Sequence, residues 1–433
     1  MHLLLGILVG VMLLLTAEPL FAVTITATSC SSAHVGDAVN QAVNGDTVLI
    51  PAGRCTWTKN LKITGKYFTL QGAGIGKTIV VDGVSKGSYP NVPQVIWWNS
   101  IAGGLSRLSG ITFEGGTITD GNNKGMVAFE GSSHSFRIDH TKFIPTRTAG
   151  LIVRGNLWGV IDHSTFDMSA RNGYGLFVHG EGYGDKAWAE GATLGTERNV
   201  FVEDNLFTQD RTKGHYYTAI DGWTGHRLVV RKNRFEAVKV ANHGTETSGR
   251  WRSARQYEYY NNTWVWNMYT SATPTVPRNA YPALIGIRGG TGVIYNNTAT
   301  ITNGSVSNVA DFNYLRTTNS YSPWGKCQNS WDLSAIRCLD QPGVGQGQLI
   351  SGATPTPVGW PQEVNDPVYL WNNQINGVSL GAVSRNSSVV QVGRDVLHQP
   401  KPGYKPYVYP HPLVSGSSQR SLLVAPSGLS PFR

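Results

Sequence analysis

Val230-Arg-Lys-Asn-Arg-Phe235 and, 29 residues later, Tyr259-Tyr-Asn-Asn-Thr-Trp264 are two copies of one short pattern. Each copy has a short apolar strand, a polar pair, an Asn or small polar residue, and then an aromatic residue. Further copies begin at Arg137, Val160 and Val202, and weaker ones at Val293 and Tyr369. Steps of 23 to 41 residues between the aromatic residues indicate a solenoid. Short β-rich repeats of irregular length indicate a β-helix.

One turn position of the pattern holds Asn or a small polar residue in every copy. The amide of an Asn at such a turn can bond backbone groups of neighbouring coils, and Asn tolerates left-handed backbone angles. We therefore expect a ladder of these side chains, with the aromatic residues stacked behind it in the core. The ladder positions are Thr141, Ser164, Asn205, Asn233, Asn262, Asn297 and Asn373.

The N-terminus has the pattern of a signal peptide. Residues Leu3 to Leu15 are almost all apolar, and Ala22 offers a small residue for cleavage. The apolar run is short for a membrane anchor, which is the alternative. We expect residues 1–22 to be removed and the protein to be secreted, either outside the cell or into a periplasm.

Export permits disulfide bonds between the four cysteines. Three pairings are open, and the local one joins Cys30 to Cys55 and Cys327 to Cys338. The spacings are long and no His clusters with the cysteines, so the sequence predicts no metal site there.

The first coils carry the clearest family signal. Val35, Ala38, Val39, Ala42 and Val43 lie at helical spacing. The segments Gly45–Gly53 and Phe68–Gly74 follow, and together they resemble the opening coils of the pectate-lyase-like right-handed parallel β-helix superfamily. The resemblance covers about residues 34–300. It implies an all-β, single-domain right-handed parallel β-helix with a short N-terminal capping helix.

The domain organisation follows from this fold. We expect an N-terminal cap at 23–45 and the β-helix at 46–375, with a long excursion at 303–366 where the rhythm breaks. Residues 376–433 should form an extended C-terminal segment along the solenoid, with a loose end.

A second strand in each coil ends with a polar residue followed by Gly. Alternation along a strand places this polar residue outside, and coils stack at about 4.8 Å. Six positions therefore span about 24 Å, the length of a few sugar units. The predicted column is Glu130, Arg154, His179, Asp221, His243 and Arg288.

Aromatic and basic residues flank this column. Trp158 and Trp223 are candidates for stacking on sugar rings, although such residues often only pack. Lys213, Arg250 and Arg252 are candidates for binding carboxylates or sulfates, because Arg forms bidentate pairs with such groups. The alternative for the basic residues is a solvated loop.

A second column of stacked residues is acidic and could hold Ca²⁺: Asp139, Asp162 and Glu203. Arg231 continues that column and could neutralise it, and we favour this ionic explanation. No cofactor is therefore predicted firmly, and Ca²⁺ stays open.

The chain carries a formal net charge of +9, which suits an anionic partner. We expect an anionic polysaccharide as the partner, with no nucleic acid and no membrane, and a monomeric protein.

The Arg-x-Pro-x-x-Arg element of the pectate lyases is absent, and so are the Asn-Thr-Asp and Gly-His-Gly elements of the pectin hydrolases.

The leading hypothesis is a lyase that cleaves a uronic-acid-containing polysaccharide by β-elimination. His179 or His243 would be the base, Asp221 would orient an imidazole, and Arg154 and Arg288 would bind carboxylates. One alternative is a glycoside hydrolase that pairs Asp221 with Glu181 or Glu246. The other is a non-catalytic carbohydrate- or surface-binding solenoid.

Overall fold

Three long sheets wind around one core in the computed structural model of the chain. Each coil passes through sheet 1, sheet 2 and sheet 3 in turn, and each strand pairs with its equivalent in the next coil. The structure describes residues 22–86, 93–116, 125–146, 149–170, 174–182, 184–210, 217–244, 252–267, 283–303, 306, 308–312, 340–346, 363–384 and 389–415.

Within these residues the strands are parallel, except for the last pair of sheet 2, which is antiparallel. Sheet 1 contains Thr24–Thr26, Thr47–Ile50, Thr69–Gly72, Ser106–Ser109, Phe136–Asp139, Gly159–Asp162, Val200–Glu203, Arg227–Arg231, Gln256–Tyr260, Thr291–Tyr295, Val368–Trp371 and Val396–Leu397. Sheet 2 contains Gly53–Trp57, Thr78–Asp82, Thr112–Glu114, Lys142–Ile144, Thr165–Asp167, Leu206–Thr208, Arg234–Glu236, Thr263–Asn267, Thr298–Asn303, Gln374–Ile375 and Val378–Ser379. Sheet 3 contains Leu61–Thr64, Ile96–Ser100, Val127–Gly131, Leu151–Gly155, Leu176–His179, Tyr217–Trp223, Val238–Asn242, Ala283–Ile287, Asn308–Phe312 and Ala382–Ser384.

Helices are few and short in the described part of the chain. Helix α1, Ser32–Gln41, packs on the first strands through its buried face of Val35, Ala38 and Val39. This confirms the predicted capping helix. Helices α2, Asp185–Ala189, and α3, Pro412–Ser415, are single turns, and Met168–Ala170 is a short 3₁₀ helix. None of the described helices has the length and apolar character that a membrane crossing requires.

The predicted polar ladder is present at the turn between sheets 1 and 2. The backbone N–H of Asn233 donates to Oδ1 of Asn262, and that of Asn262 donates to Oδ1 of Asn297, each at 3.1 Å. The left-handed residue is the one before each ladder position, such as Asn261 at φ 55°. The ladder side chains therefore bond the neighbouring coil, while their predecessors make the bend.

An aromatic stack runs through the core behind the ladder, as the sequence predicts. Its ring centroids lie 4.6 to 5.5 Å apart from coil to coil. Burying each of these rings contributes about 1.5–3 kcal/mol. The stack consists of Phe113, Phe143, Phe166, Phe207, Phe235 and Trp264.

Two further predictions concern the ends of the solenoid. Cys30 and Cys55 form the predicted disulfide, whereas Cys327 and Cys338 lie outside the described residues.

The predicted excursion at 303–366 begins too early. Strand Asn308–Phe312 continues sheet 3, and residues 340–346 include buried side chains such as Asp340 and Val344.

The C-terminal segment lies along the outer face of sheet 1. Arg231 donates to the carbonyl oxygens of Tyr407 and Val408 at 2.7 and 2.8 Å. The hydroxyl of Tyr404 donates to Glu258 at 2.5 Å. Buried polar groups of at least two coils of sheet 1 thus bind residues 404–408.

Candidate functional site

The outer edge of sheet 3 carries most of the predicted column. Glu130 is in register with Arg154, and Arg154 with His179. The carboxylate of Glu130 accepts a hydrogen bond from Arg154 at 2.6 Å, and the Arg154 side chain stays 44 % exposed. Successive coils therefore present charged side chains along one edge, as alternation predicts.

Asp221 does not occupy the predicted column position. The residue in register with His179 is Trp223, and Asp221 lies beside Phe177, two residues earlier on the same outer face. The sequence rule fails because Gly222 lies inside a seven-residue strand and not at its end. A Cβ at Gly222 would come within 2.2 Å of the His226 ring, so glycine is needed there for packing.

Asp221 nevertheless reaches a histidine of the next coil. Its Oδ1 lies 2.7 Å from Nδ1 of His243, and the backbone N–H of His243 donates to the carbonyl oxygen of Gly222 at 2.8 Å. The Asp221 carboxylate is only 2 % exposed, whereas the His243 side chain is 17 % exposed. When Nδ1 carries the proton, the carboxylate fixes the ring orientation, and Nε2 is the basic nitrogen.

An indole separates the two histidines of the column. The Trp223 ring lies 3.7 Å from the His243 ring and 5.7 Å from the His179 ring, measured between centroids. The predicted arrangement, with Asp221 between both histidines, is therefore wrong for His179. Trp223 holds the two imidazoles apart and packs on the His243 face, which leaves that indole face unavailable to a sugar.

Arg288 continues the column beyond His243. Gly286 is in register with Ala241, so Arg288 follows one coil after His243. Its backbone N–H donates to Oδ1 of Asn242 at 2.7 Å, and the residue is largely buried. The described column is thus Glu130, Arg154, His179, Trp223, His243 and Arg288.

Arg252 is a structural residue, contrary to its predicted contact with substrate. Its guanidinium is buried and binds both carboxylate oxygens of Asp340 at 2.7 to 3.0 Å, with Glu363 at 3.2 Å. Burial raises the pKa of the Asp340 carboxyl and Arg252 lowers it, and the net result is a lowered pKa. The ion pair fastens residues 340–346 to the coil that precedes them.

Of the three remaining predicted binding residues, only Trp158 lies within the described part of the chain. Trp158 lies at the turn between sheets 3 and 1, where His134 stacks on it at 3.7 Å and the Arg198 guanidinium lies 5.2 Å from its centroid. Lys213 and Arg250 lie outside the described residues.

The three stacked acids of sheet 1 do not fit a Ca²⁺ site. Arg107 binds both carboxylate oxygens of Asp139 at 2.7 Å, and Arg137 binds both of Asp162 at 2.8 and 2.9 Å. Glu203 accepts from Arg231 at 2.7 Å. Each acid is already paired with a guanidinium, as the favoured ionic explanation predicts. Among the described residues no group of three or more His, Cys, Asp or Glu could hold a metal ion.

A pocket of about 200 Å³ adjoins the column at His179. One coil makes the turn between sheets 3 and 1 at Gly155–Trp158, and the coil two further on makes it at Gly225–Arg227. In the coil between them, residues 184–199 with α2 take the place of this turn, so the pocket forms where a turn is displaced. Its walls include Trp158, His179, Lys186, Glu190, Arg198 and His226.

His226 is not among the site residues predicted from the sequence. The residue is 1 % exposed, and neither ring nitrogen has a hydrogen-bond partner among the described residues. Burial lowers the pKa of His226 to about 3; the Trp223 backbone opposes this effect, and His243 adds a smaller lowering. Its neutral imidazole therefore packs over Gly222. The one signal for His226 in the sequence is Gly222, because a glycine inside a strand often marks the close approach of another group.

Comparison with known proteins concerns the fold. The order of the three parallel sheets makes the chain a parallel β-helix, which confirms the predicted fold class. No protein-family model matches the sequence. No curated protein matches it either.

Several solved structures are similar to the chain. ORF18 of Geobacillus virus E2 is 14 % identical with a TM-score of 0.41, over 67 % of this chain and 54 % of that one. The chain thus spans about half of that viral protein. An alginate lyase from Paenibacillus sp. str. FPU-7 is 12 % identical with a TM-score of 0.33, over 83 % of this chain and 97 % of that one. A Family 28 exopolygalacturonase from Yersinia enterocolitica is 12 % identical with a TM-score of 0.32, over 84 % and 76 %. At such low identities and TM-scores these similarities carry no information on activity.

Proposed function

We propose that the protein is a secreted polysaccharide-active enzyme that cleaves a uronic-acid-containing chain by β-elimination. The observation that carries the proposal is the 2.7 Å contact between His243 Nδ1 and Asp221 Oδ1 on the outer face of sheet 3. A buried carboxylate that orients a partly exposed imidazole is a common arrangement for a general base. The charged column on either side provides a surface for an anionic chain.

The chemistry requires one base and one positive charge. His243 Nε2 takes the proton from the carbon next to the uronate carboxylate, and the electron pair of that bond forms a carbon–carbon double bond. The bond from the neighbouring carbon to the glycosidic oxygen breaks. The proton on His243 can then pass to this leaving oxygen, so one imidazole balances the reaction.

Cationic residues of the column stabilise the charge that develops on the uronate. Arg288 follows one coil after His243 and is the nearest cation of the column on that side. Arg154 lies on the other side, next to His179, and is partly exposed. Because Trp223 separates His179 from His243, the two imidazoles contact different sugar units. His179 therefore serves in binding, and His243 in proton transfer.

Hydrolysis is less well supported by the described residues. A glycoside hydrolase needs two carboxyl groups about 5–9.5 Å apart on either side of the bond. Asp221 is buried against His243, and Glu181 is paired with Lys186 at 3.1 Å. Glu246 lies outside the described residues.

The experiment is a screen of the purified protein against pectate, alginate, hyaluronan, chondroitin and neutral glucans. A lyase produces an unsaturated uronate that absorbs ultraviolet light, and its products contain no oxygen from the solvent. Cleavage in ¹⁸O-labelled water that incorporates one label for each bond cut would instead identify a hydrolase. Binding without cleavage would identify a carbohydrate-binding solenoid.

A further inference from the structure

The pocket beside His179 has an excess of positive charge. Lys186, Arg198 and Arg227 line it, against the two acids Glu181 and Glu190. The Glu190 carboxylate is shared, since it lies 3.2 Å from Arg198 and 3.3 Å from Arg227. With both histidines neutral, the pocket walls carry one net positive charge.

Crowding of cations is visible at Arg227. Burial, followed by the nearby Arg255, lowers the pKa of Arg227 to about 10; Glu190 opposes this effect, and Arg198 adds a smaller lowering. An added anion would relieve this repulsion, and the guanidinium plane suits a carboxylate or sulfate.

Polar groups in the walls also lack partners. The Nε–H group of Arg198 is buried and donates to no partner among the described residues, and both ring nitrogens of His226 are likewise buried without a hydrogen-bond partner there. Neutral His226 can donate through one nitrogen and accept through the other, which suits a hydroxyl group. Buried polar groups of this kind normally find a partner.

The size of the pocket fits one sugar unit. A volume of about 200 Å³ has room for several water molecules. Trp158 adds an aromatic wall, and His179 belongs to both the pocket and the column. A polysaccharide lying along the column can therefore place one unit in the pocket.

We propose that this pocket is a subsite for one anionic sugar unit, whose charged group binds Arg198 and Arg227 and whose hydroxyl groups contact His226. The identity of the ligand as part of a polysaccharide rests on the proposed function. The charged group is a uronate carboxylate or a sulfate ester, which share the same recognition chemistry.

Binding of monosaccharides tests the subsite without requiring cleavage. D-galacturonate, D-galactose 6-sulfate and D-galactose are titrated into the full-length protein, and binding is measured by calorimetry and saturation-transfer NMR. We expect at least one acidic sugar to bind at least tenfold more tightly than D-galactose. Preference for galacturonate identifies a carboxylate subsite, and preference for the sulfate ester identifies a sulfate subsite.

Arg198→Gln is the informative variant, because its side chain is 40 % exposed and its loss should leave the fold intact. We expect it to weaken binding of the acidic sugar about tenfold, since a charge-assisted hydrogen bond is lost. Arg234→Gln is the matched control. Arg234 is similarly exposed and also paired with a glutamate, Glu236, but it lies on sheet 2. The control should bind like the wild type.

Three outcomes would overturn the subsite: no binding of any acidic sugar, equal binding of D-galactose, or unchanged binding by Arg198→Gln. His243→Ala separates this proposal from the enzymatic one. That variant should lose turnover and keep monosaccharide binding. If it keeps turnover, the proposed function fails while the subsite stands.

Discussion

The Nδ1 atom of His243 lies 2.7 Å from Oδ1 of Asp221, although 22 residues separate the two in sequence. The contact crosses from one coil to the next, because Gly222 is in register with Asn242. His140 and His163 make equally short contacts with Asp139 and Asp162, but between adjacent residues at the turns between sheets 1 and 2. Those pairs offer matched controls for the pair on sheet 3.

The first prediction concerns the ladder. Asn233 donates through Nδ2 to the carbonyl oxygens of Val202 and Arg231 at 2.8 and 2.9 Å, and the side chain is buried. Asn233→Ala leaves these groups unpaired, so we expect a loss of about 1–3 kcal/mol in the free energy of unfolding. Urea denaturation measures it, with Asn40→Ala on the exposed side of α1 as control. Identical midpoints for wild type and Asn233→Ala would contradict the ladder.

The second prediction concerns Arg252. Removing it leaves Asp340 buried without its guanidinium, so Arg252→Ala should cost about 3–5 kcal/mol of stability. Arg234→Ala removes an exposed ion pair and should change stability by less than about 1 kcal/mol. Thermal or urea unfolding of both variants makes the comparison. A stable Arg252→Ala protein with weakened polysaccharide binding would restore the role that the sequence suggested.

The third prediction is a pH dependence at His226. Its pKa is about 3 in the folded chain, against about 6.5 when unfolded. Above the unfolded value both states are neutral. As the pH falls below it, only the unfolded state binds the proton, and stability is lost at about 1.4 kcal/mol per pH unit. This loss ends near the folded value.

His226→Phe keeps the ring over Gly222 and cannot titrate. Between pH 6.5 and 5, we expect the wild type to lose about 2 kcal/mol more than this variant. His411 also has a pKa lowered to about 3 by burial and by Arg231 and Arg137, but it is present in both proteins, so its effect cancels. Parallel pH profiles of the two unfolding free energies would refute a buried neutral His226.

The fold was predictable because its signals are local and repeated. The ladder residues and the core aromatic residues recur at one position of every coil, so a single alignment of repeats places both Asn233 and Phe235. The capping helix and the Cys30–Cys55 pair were equally local. The start of the excursion was less so, because the Asn and the aromatic residue of Asn308–Phe312 are four positions apart and not two, as they are in the repeat.

The site was only partly predictable, because two of its features depend on distant contacts. The polar-before-Gly pattern predicts that a strand ends at Gly222, whereas this residue is glycine because a Cβ would clash with the His226 ring four residues later. Because of this error, the prediction placed Asp221 at the column position that Trp223 occupies. The sequence predicts that Arg252 is a surface cation, whereas it is buried with Asp340, a partner 88 residues away in sequence. Neither contact leaves a periodic pattern.

The fourth prediction concerns the cysteines. The mature protein should begin near Val23 and contain no free thiols, with Cys327 joined to Cys338 in addition to the observed Cys30–Cys55 bond. N-terminal sequencing and thiol titration in denaturant measure both. Two free thiols would show that the later pair is not formed, and four would contradict the observed disulfide.

The catalytic role of Asp221 and His243 has the most direct test in the turnover of Asp221→Asn on the polysaccharide that the screen identifies. Asn keeps the size of the buried side chain but removes the charge that stabilises the imidazolium, so turnover should fall about 10²-fold or more. His243→Gln should lose at least as much, while His140→Gln, taken from a matched pair outside the column, should keep full turnover. Unfolding curves confirm that each variant is folded. A folded Asp221→Asn protein with the turnover of the wild type would contradict the account.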